Sequence, residues 1–133
     1  MRLFLLVLSV VLFASCNKPN KKLKETIAGA DSIVINYFRG DGTMDTVLKV
    51  KIVRDRQTIT ALSSEISAAT TKVNFKCGYD GSLHFFGKNV VILDIDFRMN
   101  DAKCMYFTFK QNGETGATKL SENAKKILTD IAK

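Results

Sequence analysis

Residues 90–98 have the sequence VVILDIDFR, in which apolar and charged side chains alternate from Leu93 onward. In an extended chain, successive side chains point to opposite faces. The segment therefore has an apolar face and a charged face, formed respectively by Val91, Leu93, Ile95 and Phe97 and by Asp94, Asp96 and Arg98. This pattern predicts a β-strand that buries one face and exposes the other to water.

Segments on both sides of this strand complete the predicted domain. Stretches rich in β-branched and aromatic residues predict four further strands, at 32–38, 44–53, 82–86 and 103–109. Asp55 and Ser121 are the predicted N-cap residues of two amphipathic helices. The predicted order is β-β-α-β-β-β-α. We expect an α+β, two-layer fold in which an antiparallel sheet of about five strands has both helices on its apolar face and an open, polar face.

The alternation also predicts which side chains share the open face, because a one-residue slip would bury the carboxylates. A three-residue turn after residue 87 would set His84 opposite Asp94 and Ser82 near Asp96. A wider turn after the next strand would place Tyr106 beside Asp96. The sequence therefore predicts one polar patch, composed of Ser82, His84, Asp94, Asp96 and Tyr106.

This patch has two interpretations. A histidine beside a carboxylate and a serine has the composition of a hydrolytic or acid–base site, with His84, Asp94 and Asp96 as candidate catalytic residues. The same side chains are also typical of a solvated, salt-bridged sheet face, and the sequence contains no nucleophile turn or phosphate-binding loop. We therefore predict a non-enzymatic protein with no assigned catalytic residue. Because His84 is the only histidine, neither a metal nor a cofactor is predicted.

Residues 1–15 have the organisation of a secretion signal. Arg2 precedes an unbroken apolar run at residues 3–13. As a helix, this run would be only about 16 Å long, too short to cross a bilayer core of about 30 Å. The run ends in FASC, residues 13–16, which resembles the lipobox of bacterial lipoproteins.

The lipobox resemblance implies that Cys16 carries diacylglycerol and that the signal is cleaved immediately before it. The alternative is an ordinary secretory signal cleaved near Ala14, which would leave Cys16 as a free thiol. Asn17 follows the cysteine, and no acidic run comes next. In lipoproteins, that arrangement implies a lipid-anchored location in the cell envelope, on the periplasmic side of the outer membrane.

The chain is basic, with a formal net charge of +7 at pH 7, and much of the excess lies close to Cys16. Residues 16–30 lack a sustained apolar period, so we predict a lipidated tether there and a single α+β domain at residues 31–133. The lysines of the tether would either be attracted to an anionic membrane surface or only be solvated. These are Lys18, Lys21, Lys22 and Lys24. Nucleic acid is not an expected partner, because export removes the protein from the nucleic-acid compartment.

Cys77 and Cys104 remain as a pair once Cys16 is lipidated. In an oxidising compartment, we expect them to form a disulfide. The alternative is a redox or metal-binding thiol pair, for which a Cys-x-x-Cys motif and further ligands are missing.

The segment CGYDG, residues 77–81, is followed by Leu83, Phe85 and Cys104. This arrangement resembles small uncharacterised lipoproteins of Bacteroidota-type bacteria, in which the segment lies between a helix and a hairpin. Those chains end in a helix after a Leu-Ser pair like residues 120–121. The resemblance covers roughly residues 55–132 and implies no known activity.

Taken together, these features predict a membrane-anchored envelope lipoprotein with a non-enzymatic binding domain. The candidate contact surface consists of the open sheet face and the connector before residue 81, with Tyr79, Lys49, Lys51 and Tyr106 as its residues. Its partners would be the membrane, through the lipid, and an envelope protein. The alternatives are a periplasmic inhibitor or immunity protein and a hydrolase acting near His84 and Asp94. The sequence carries no indication of oligomeric state.

Overall fold

The computed structural model describes residues 18–41, 43–73 and 75–133, so the predicted signal and Cys16 lie outside the described residues. The described part of the chain forms three helices and one seven-stranded sheet. Its elements are α1 (Lys21–Ala28), β1 (Ser32–Phe38), β2 (Val47–Val53), α2 (Arg56–Ile66), β3 (Thr70–Thr71), β4 (Gly81–Gly87), β5 (Val90–Arg98), β6 (Tyr106–Gln111), β7 (Glu114–Lys119) and α3 (Glu122–Ala132).

The sheet is antiparallel throughout, with the strand order β2-β1-β4-β5-β6-β7-β3. Apolar side chains of all three helices and of the central strands form one buried cluster, which includes Leu23, Ile27, Ile33, Ile35, Leu62, Ile66, Leu83, Phe85, Ile95, Phe97, Phe107 and Leu128. The predicted α+β class is confirmed. The predicted numbers of about five strands and two helices were wrong.

Helix α1 is the third helix, and it lies within the segment predicted as a tether at residues 16–30. The Asn20 side chain caps it by accepting a hydrogen bond from the Leu23 amide at 3.1 Å. Leu23 and Ile27 are buried. Two apolar residues four positions apart lie on one side of a helix, so this short pattern is enough to anchor two turns. Part of the predicted tether therefore belongs to the folded domain.

A hairpin joins β6 to β7, a strand that the sequence did not predict. Asn112 and Gly113 both have positive φ, at 54° and 77°. Positive φ at both central residues is the requirement of a type I′ hairpin turn. Gly116 lies within β7, where an added Cβ would come within 2.7 Å of the Phe109 ring. The missing side chain therefore gives an aromatic ring the room to pack, which is why this glycine lies in a strand.

The two predicted helix caps are confirmed. The Asp55 carboxylate accepts a hydrogen bond from the Thr58 amide at 2.9 Å, at the start of α2. The Ser121 hydroxyl accepts one from the Ala124 amide at 3.0 Å, at the start of α3. Each side chain satisfies an amide that the helix itself leaves without a partner.

Tyr37 joins the sheet to helix α3. Its hydroxyl donates a hydrogen bond to the Leu128 carbonyl at 2.7 Å, and its ring packs edge-on against Phe97 with 6.0 Å between centroids. Burial raises the pKa of Tyr37 to about 12. The inward-facing side of β1 is thus bonded to the helix layer as well as packed against it.

The connector between β3 and β4 crosses the open face of the sheet. β3 pairs with β7 at one edge, whereas β4 lies between β1 and β5, so the connector, described at residues 72–73 and 75–80, passes over the strands in between. Thr108 is only 6% exposed, although its side chain is on the open face. Cys77 and Cys104 form the predicted disulfide, which ties this connector to the loop before β6. Within the described residues, the connector therefore covers the open face over β6 and leaves it uncovered over β1.

Candidate functional site

The predicted polar patch is present on the open face, and most of its members are in contact. The pairing of β4 with β5 sets His84 opposite Asp94 and Ser82 opposite Asp96, as predicted. His84 Nδ1 lies 2.5 Å from Asp94 Oδ1, and His84 Nε2 lies 3.0 Å from Ser82 Oγ. Asn36 Nδ2 lies 3.1 Å from the same Nε2 and 3.2 Å from Ser82 Oγ. The four side chains form one continuous hydrogen-bonded network.

A two-residue turn produces this register, rather than the predicted three-residue turn. Lys88 and Asn89 both have positive φ, which closes a tight hairpin between β4 and β5. A bulge next to Phe86 then adds one residue to β5. The bulge compensates for the shorter turn, so the predicted cross-strand pairs form by a different local route.

The network has the order of groups found in a serine–histidine–aspartate triad, but not the surroundings. Ser82 is 6% exposed, so a substrate carbonyl has little access to its hydroxyl. β4 pairs on both sides, with Asn36 and Asp96 directly opposite Ser82. The backbone amides flanking Ser82 therefore point toward neighbouring strands instead of forming an oxyanion hole. This geometry favours a structural network over acyl transfer.

Asp96 borders an open groove of about 500 Å³ between β5 and β6. Within β5, only residues 95–98 pair with β6, so the start of β5 is not paired with this neighbour. The groove is lined by polar and apolar side chains, among them Tyr79, Asp94, Asp96, Thr108, Lys110 and Thr115. The pKa of Asp96 is raised, chiefly because the carboxyl group is partly buried. The nearby His84 opposes this shift, and the Asp94 carboxylate adds to it. The groove is next to the network, and His84 does not line it.

Tyr106 does not lie beside Asp96, so this part of the predicted patch was wrong. Thr108 is opposite Asp96, and Tyr106 is opposite Arg98. The cause is a longer loop than predicted between β5 and β6, which includes the disulfide-bonded Cys104. A shift of two residues leaves every side chain on its predicted face, because the side-chain period of a strand is two.

The residues of the predicted contact surface are on two different faces. Tyr79 and Tyr106 are on the open face, where both line a small cavity beside the disulfide. Lys49 and Lys51 are on β2 and point to the helix side, because they pair with the inward-facing Tyr37 and Ile35. The structure does not bring these four residues together.

Strand β2 instead exposes apolar side chains, in a group that we call the β2 patch. Val50 and Ile52 pair with Asn36 and Val34, which places them on the open face. The patch comprises Val47, Leu48, Val50 and Ile52, which are 50%, 63%, 54% and 55% exposed. The sequence predicted a strand here and a polar open face, but the open face at this edge of the sheet is apolar.

Two contacts explain why β2 turns its apolar side outward. Val53 is buried opposite Ile33 at the start of the hairpin, which sets the register. The Lys49 ammonium group donates a hydrogen bond to the Ala132 carbonyl at the C-terminal end of α3. The exposed carbonyls of a helix C-terminus carry partial negative charge, so a lysine is favoured there. Because successive side chains of a strand point to opposite faces, Val50 and Ile52 then lie on the open face.

A buried ion pair supports the centre of the open face and was not predicted. Arg98 Nη1 lies 2.6 Å from Asp80 Oδ1, with side chains 13% and 1% exposed. The other Asp80 oxygen accepts hydrogen bonds from the Met99 and Asn100 amides at 2.7 and 2.8 Å. Asp80 belongs to the CGYDG segment, so its position between two glycines was visible in the sequence. Its burial was not, because the connector that covers it was predicted only as a loop.

Gly81 shows why that segment ends in glycine. A Cβ at this position would lie 2.3 Å from the Asn36 carbonyl oxygen and 2.3 Å from the Phe97 ring. Gly78 has a φ of +66°, which allows the turn that leads to Asp80. The CGYDG segment therefore has a structural role in joining the connector to the middle of the sheet.

Within residues 18–41, 43–73 and 75–133, no group of three or more His, Cys, Asp and Glu side chains is arranged to hold a metal ion. In the same residues, no helix is long and apolar enough to cross a membrane. Comparison of the chain with protein-family models, curated proteins and solved structures finds no match. Its function therefore has to be argued from its own residues.

Proposed function

We propose that this chain is an exported lipoprotein, anchored at Cys16, whose domain binds a protein partner in the bacterial envelope. The proposal combines the leader at residues 1–15 with the surface of the folded domain. The leader supports export and the FASC motif supports lipid attachment. The domain supports binding rather than catalysis, because its Ser82–His84–Asp94 network is flat and lacks a site for a developing negative charge.

The β2 patch is the observation that supports binding most directly. Its four large apolar side chains are each at least half exposed and adjoin one another on one strand. Contiguous exposed apolar groups with a polar rim mark interaction sites on soluble domains. On the open face, the patch borders the polar side chain of Asn36, which is directly opposite Val50. A partner that covers the patch would remove this apolar surface from water and gain the corresponding free energy.

The anchor makes the first prediction. Replacing Cys16 by Ser removes the thiol that would carry the lipid, so we expect the variant to lose labelling by radioactive palmitate in growing cells. It should also move from the membrane fraction to the soluble periplasmic fraction, because two or three acyl chains are needed for stable anchoring. Cys104→Ser is the matched control and should keep both properties. Unlabelled wild-type protein, or unchanged membrane association of Cys16→Ser, would disprove the anchor.

The β2 patch makes the second prediction. We expect a photo-crosslinking amino acid at Val47 to capture one defined envelope protein in growing cells. The double substitution Val50→Thr with Ile52→Thr should lower the adduct yield about tenfold or more, because it makes two contact side chains polar. Both positions are more than half exposed, so the fold should be retained. Capture of an exported enzyme or toxin would indicate an inhibitor or immunity protein.

The control for this crosslinking uses two other exposed valines. Val90→Thr with Val91→Thr makes the same chemical change at residues that are 63% and 44% exposed, in the hairpin between β4 and β5. The adduct at Val47 should persist in this variant. If it were lost there and kept in the β2 variant, or if no adduct formed from Val47, the β2 patch would not be the contact surface.

A further inference from the structure

We propose that the partner adds an extended strand to the free edge of β2, and that this strand alternates apolar and acidic side chains. The inference rests on the proposed function and specifies its mode of binding and the chemistry of the partner. It is based on a long strand edge that is unpaired within the described residues, on two lysines on one side of that strand, and on the edge of the sheet at which the proposed anchor would hold the domain.

The two edges of the sheet differ in length. β3, at one edge, has two residues, so it offers little backbone for pairing. β2, at the other edge, has seven residues and pairs only with β1 among the described residues. Unpaired amide and carbonyl groups along a strand are a template for another strand, which is why proteins usually shorten or cover their edges. β2 is not short, and no other described segment pairs with its free edge.

The side chains of β2 determine what a new strand must carry. A strand paired with β2 would place alternate residues on the two faces of the sheet. On the open face, its side chains would lie beside Val50 and Ile52. On the helix side, they would lie beside Lys49 and Lys51. Apolar residues fit the first face and Asp or Glu the second, because opposite charges across strands attract.

Lys51 is the lysine best placed to receive a carboxylate. Lys49 is already bonded to the Ala132 carbonyl. Lys51 is half-buried. Within the described residues, its side chain forms neither a hydrogen bond nor an ion pair. Partial burial strengthens an ion pair relative to one in open water. A carboxylate on the added strand would therefore find a cation without an existing partner.

A second copy of this chain fits the edge poorly. In an antiparallel β2–β2 pair centred on Val50, Lys49 of one copy would lie opposite Lys51 of the other. A pair centred on Lys51 would place two lysines directly opposite each other. Like charges in directly opposed positions are destabilising. The lysines therefore disfavour self-pairing, and they favour an acidic partner strand.

The position of the anchor favours a partner outside the membrane. Residues 17–20 separate Cys16 from α1, so Asn20 can lie at most about 14 Å from the lipidated residue. Asn20 is bonded to the Ser67 carbonyl and to Gln111, close to β3. β2 is at the other edge of a seven-stranded sheet, which is on the order of 25–30 Å wide at the usual strand spacing. The anchor thus holds the β3 edge near the bilayer and leaves the β2 edge away from it.

The test uses the mature lipidated chain in detergent and the synthetic peptide Glu-Val-Glu-Val-Glu-Val-Glu. We expect this peptide to bind and to slow amide hydrogen exchange in β2. A peptide with Lys in place of each Glu should bind more weakly. The substitution Lys51→Glu should weaken the Glu peptide and strengthen the Lys peptide, each by about threefold to tenfold. Lys88→Glu, on the hairpin between β4 and β5, should change neither.

Each other outcome counts against the proposal. Binding of neither peptide, or equal binding of both, would overturn strand addition by an acidic partner. If the chain self-associates and Val50→Thr abolishes this, a second copy occupies the β2 edge. If the Cys16→Ser variant binds lipid vesicles and adding Ile52→Thr abolishes this, a lipid surface covers the β2 patch. The crosslink at Val47 is independent of the peptides. A crosslinked partner without peptide binding would leave the proposed function standing and remove only this mode of binding.

Discussion

Replacing Asp80 by Asn is expected to lower the free energy of unfolding by about 3–5 kcal/mol, because it leaves a buried guanidinium without its counter-charge. The Asp80 side chain is 1% exposed, and its two oxygens bond Arg98 and the amides of Met99 and Asn100. Among the residues that the structure describes, Arg98 Nε is buried without a hydrogen-bond partner, so the Asp80 carboxylate is the main compensation for burying this cation. Small domains are stable by only about 5–15 kcal/mol, so the loss would be a large part of the total.

Urea denaturation followed by far-ultraviolet circular dichroism would measure this loss. Asp94→Asn is the matched control, because its carboxylate also bonds a basic side chain, that of His84, but is 67% exposed. Exposed pairs contribute about 1 kcal/mol or less, so the control should be nearly neutral. Combining Asp80→Asn with Arg98→Met should cost less than the sum of the single substitutions, since the pair acts as a unit. Equal, small effects of Asp80→Asn and Asp94→Asn would show that the buried pair does not stabilise the fold.

The parts of the fold that follow from side-chain periodicity were predictable from the sequence. The strict alternation in residues 93–98 predicted β5 and its charged face. Because a one-residue slip would bury a carboxylate, the alternation together with the expected turn after residue 87 also predicted the contact of His84 with Asp94. The helix caps at Asp55 and Ser121 were predictable for a similar reason, since each cap depends on one side chain and an adjacent amide.

The missed elements are those whose residues gain their conformation from tertiary contacts. β7 has the sequence ETGATK, with no large apolar residue, and it lies in the sheet because Gly116 makes room for Phe109. α1 is eight residues long and has only Leu23 and Ile27 buried. Short elements of this kind are stabilised by packing more than by intrinsic propensity. Their local sequence therefore gave too weak a signal.

The orientation of β2 could not be predicted, because alternation shows that a strand has two faces and not which one is buried. An apolar face is normally turned to the core, and this expectation failed at Val50 and Ile52. Their exposure depends on Lys49 reaching the end of α3, a contact between residues 83 positions apart. The exposure of Val50 and Ile52 breaks the rule that apolar side chains face the core, and it brings no gain in core packing. Such exceptions are expected at functional sites, which is why the β2 patch carries the proposed function.

The disulfide gives the second large effect. Replacing Cys77 and Cys104 by Ser is expected to destabilise the chain by about 3–4 kcal/mol, since the bond joins residues 27 positions apart and so restricts the unfolded chain. The consequence should be largest in the connector, which the bond holds across the open face. Amide hydrogen exchange should therefore accelerate first near Tyr79, before it does so in the central strand β4.

The effect of losing the disulfide on the connector can be distinguished from partner binding at β2. β2 is hydrogen-bonded to β1 and lies four strands from β6, so crosslinking from Val47 should continue in the Cys-to-Ser variant at temperatures where the domain remains folded. Mass measurement without reductant should find no free thiol at Cys77 or Cys104 in the wild-type chain. Two titratable thiols in the folded protein, or an unchanged unfolding midpoint after the double substitution, would contradict the bond. Loss of the crosslink with the fold retained would instead show that the connector, and not β2 alone, contacts the partner.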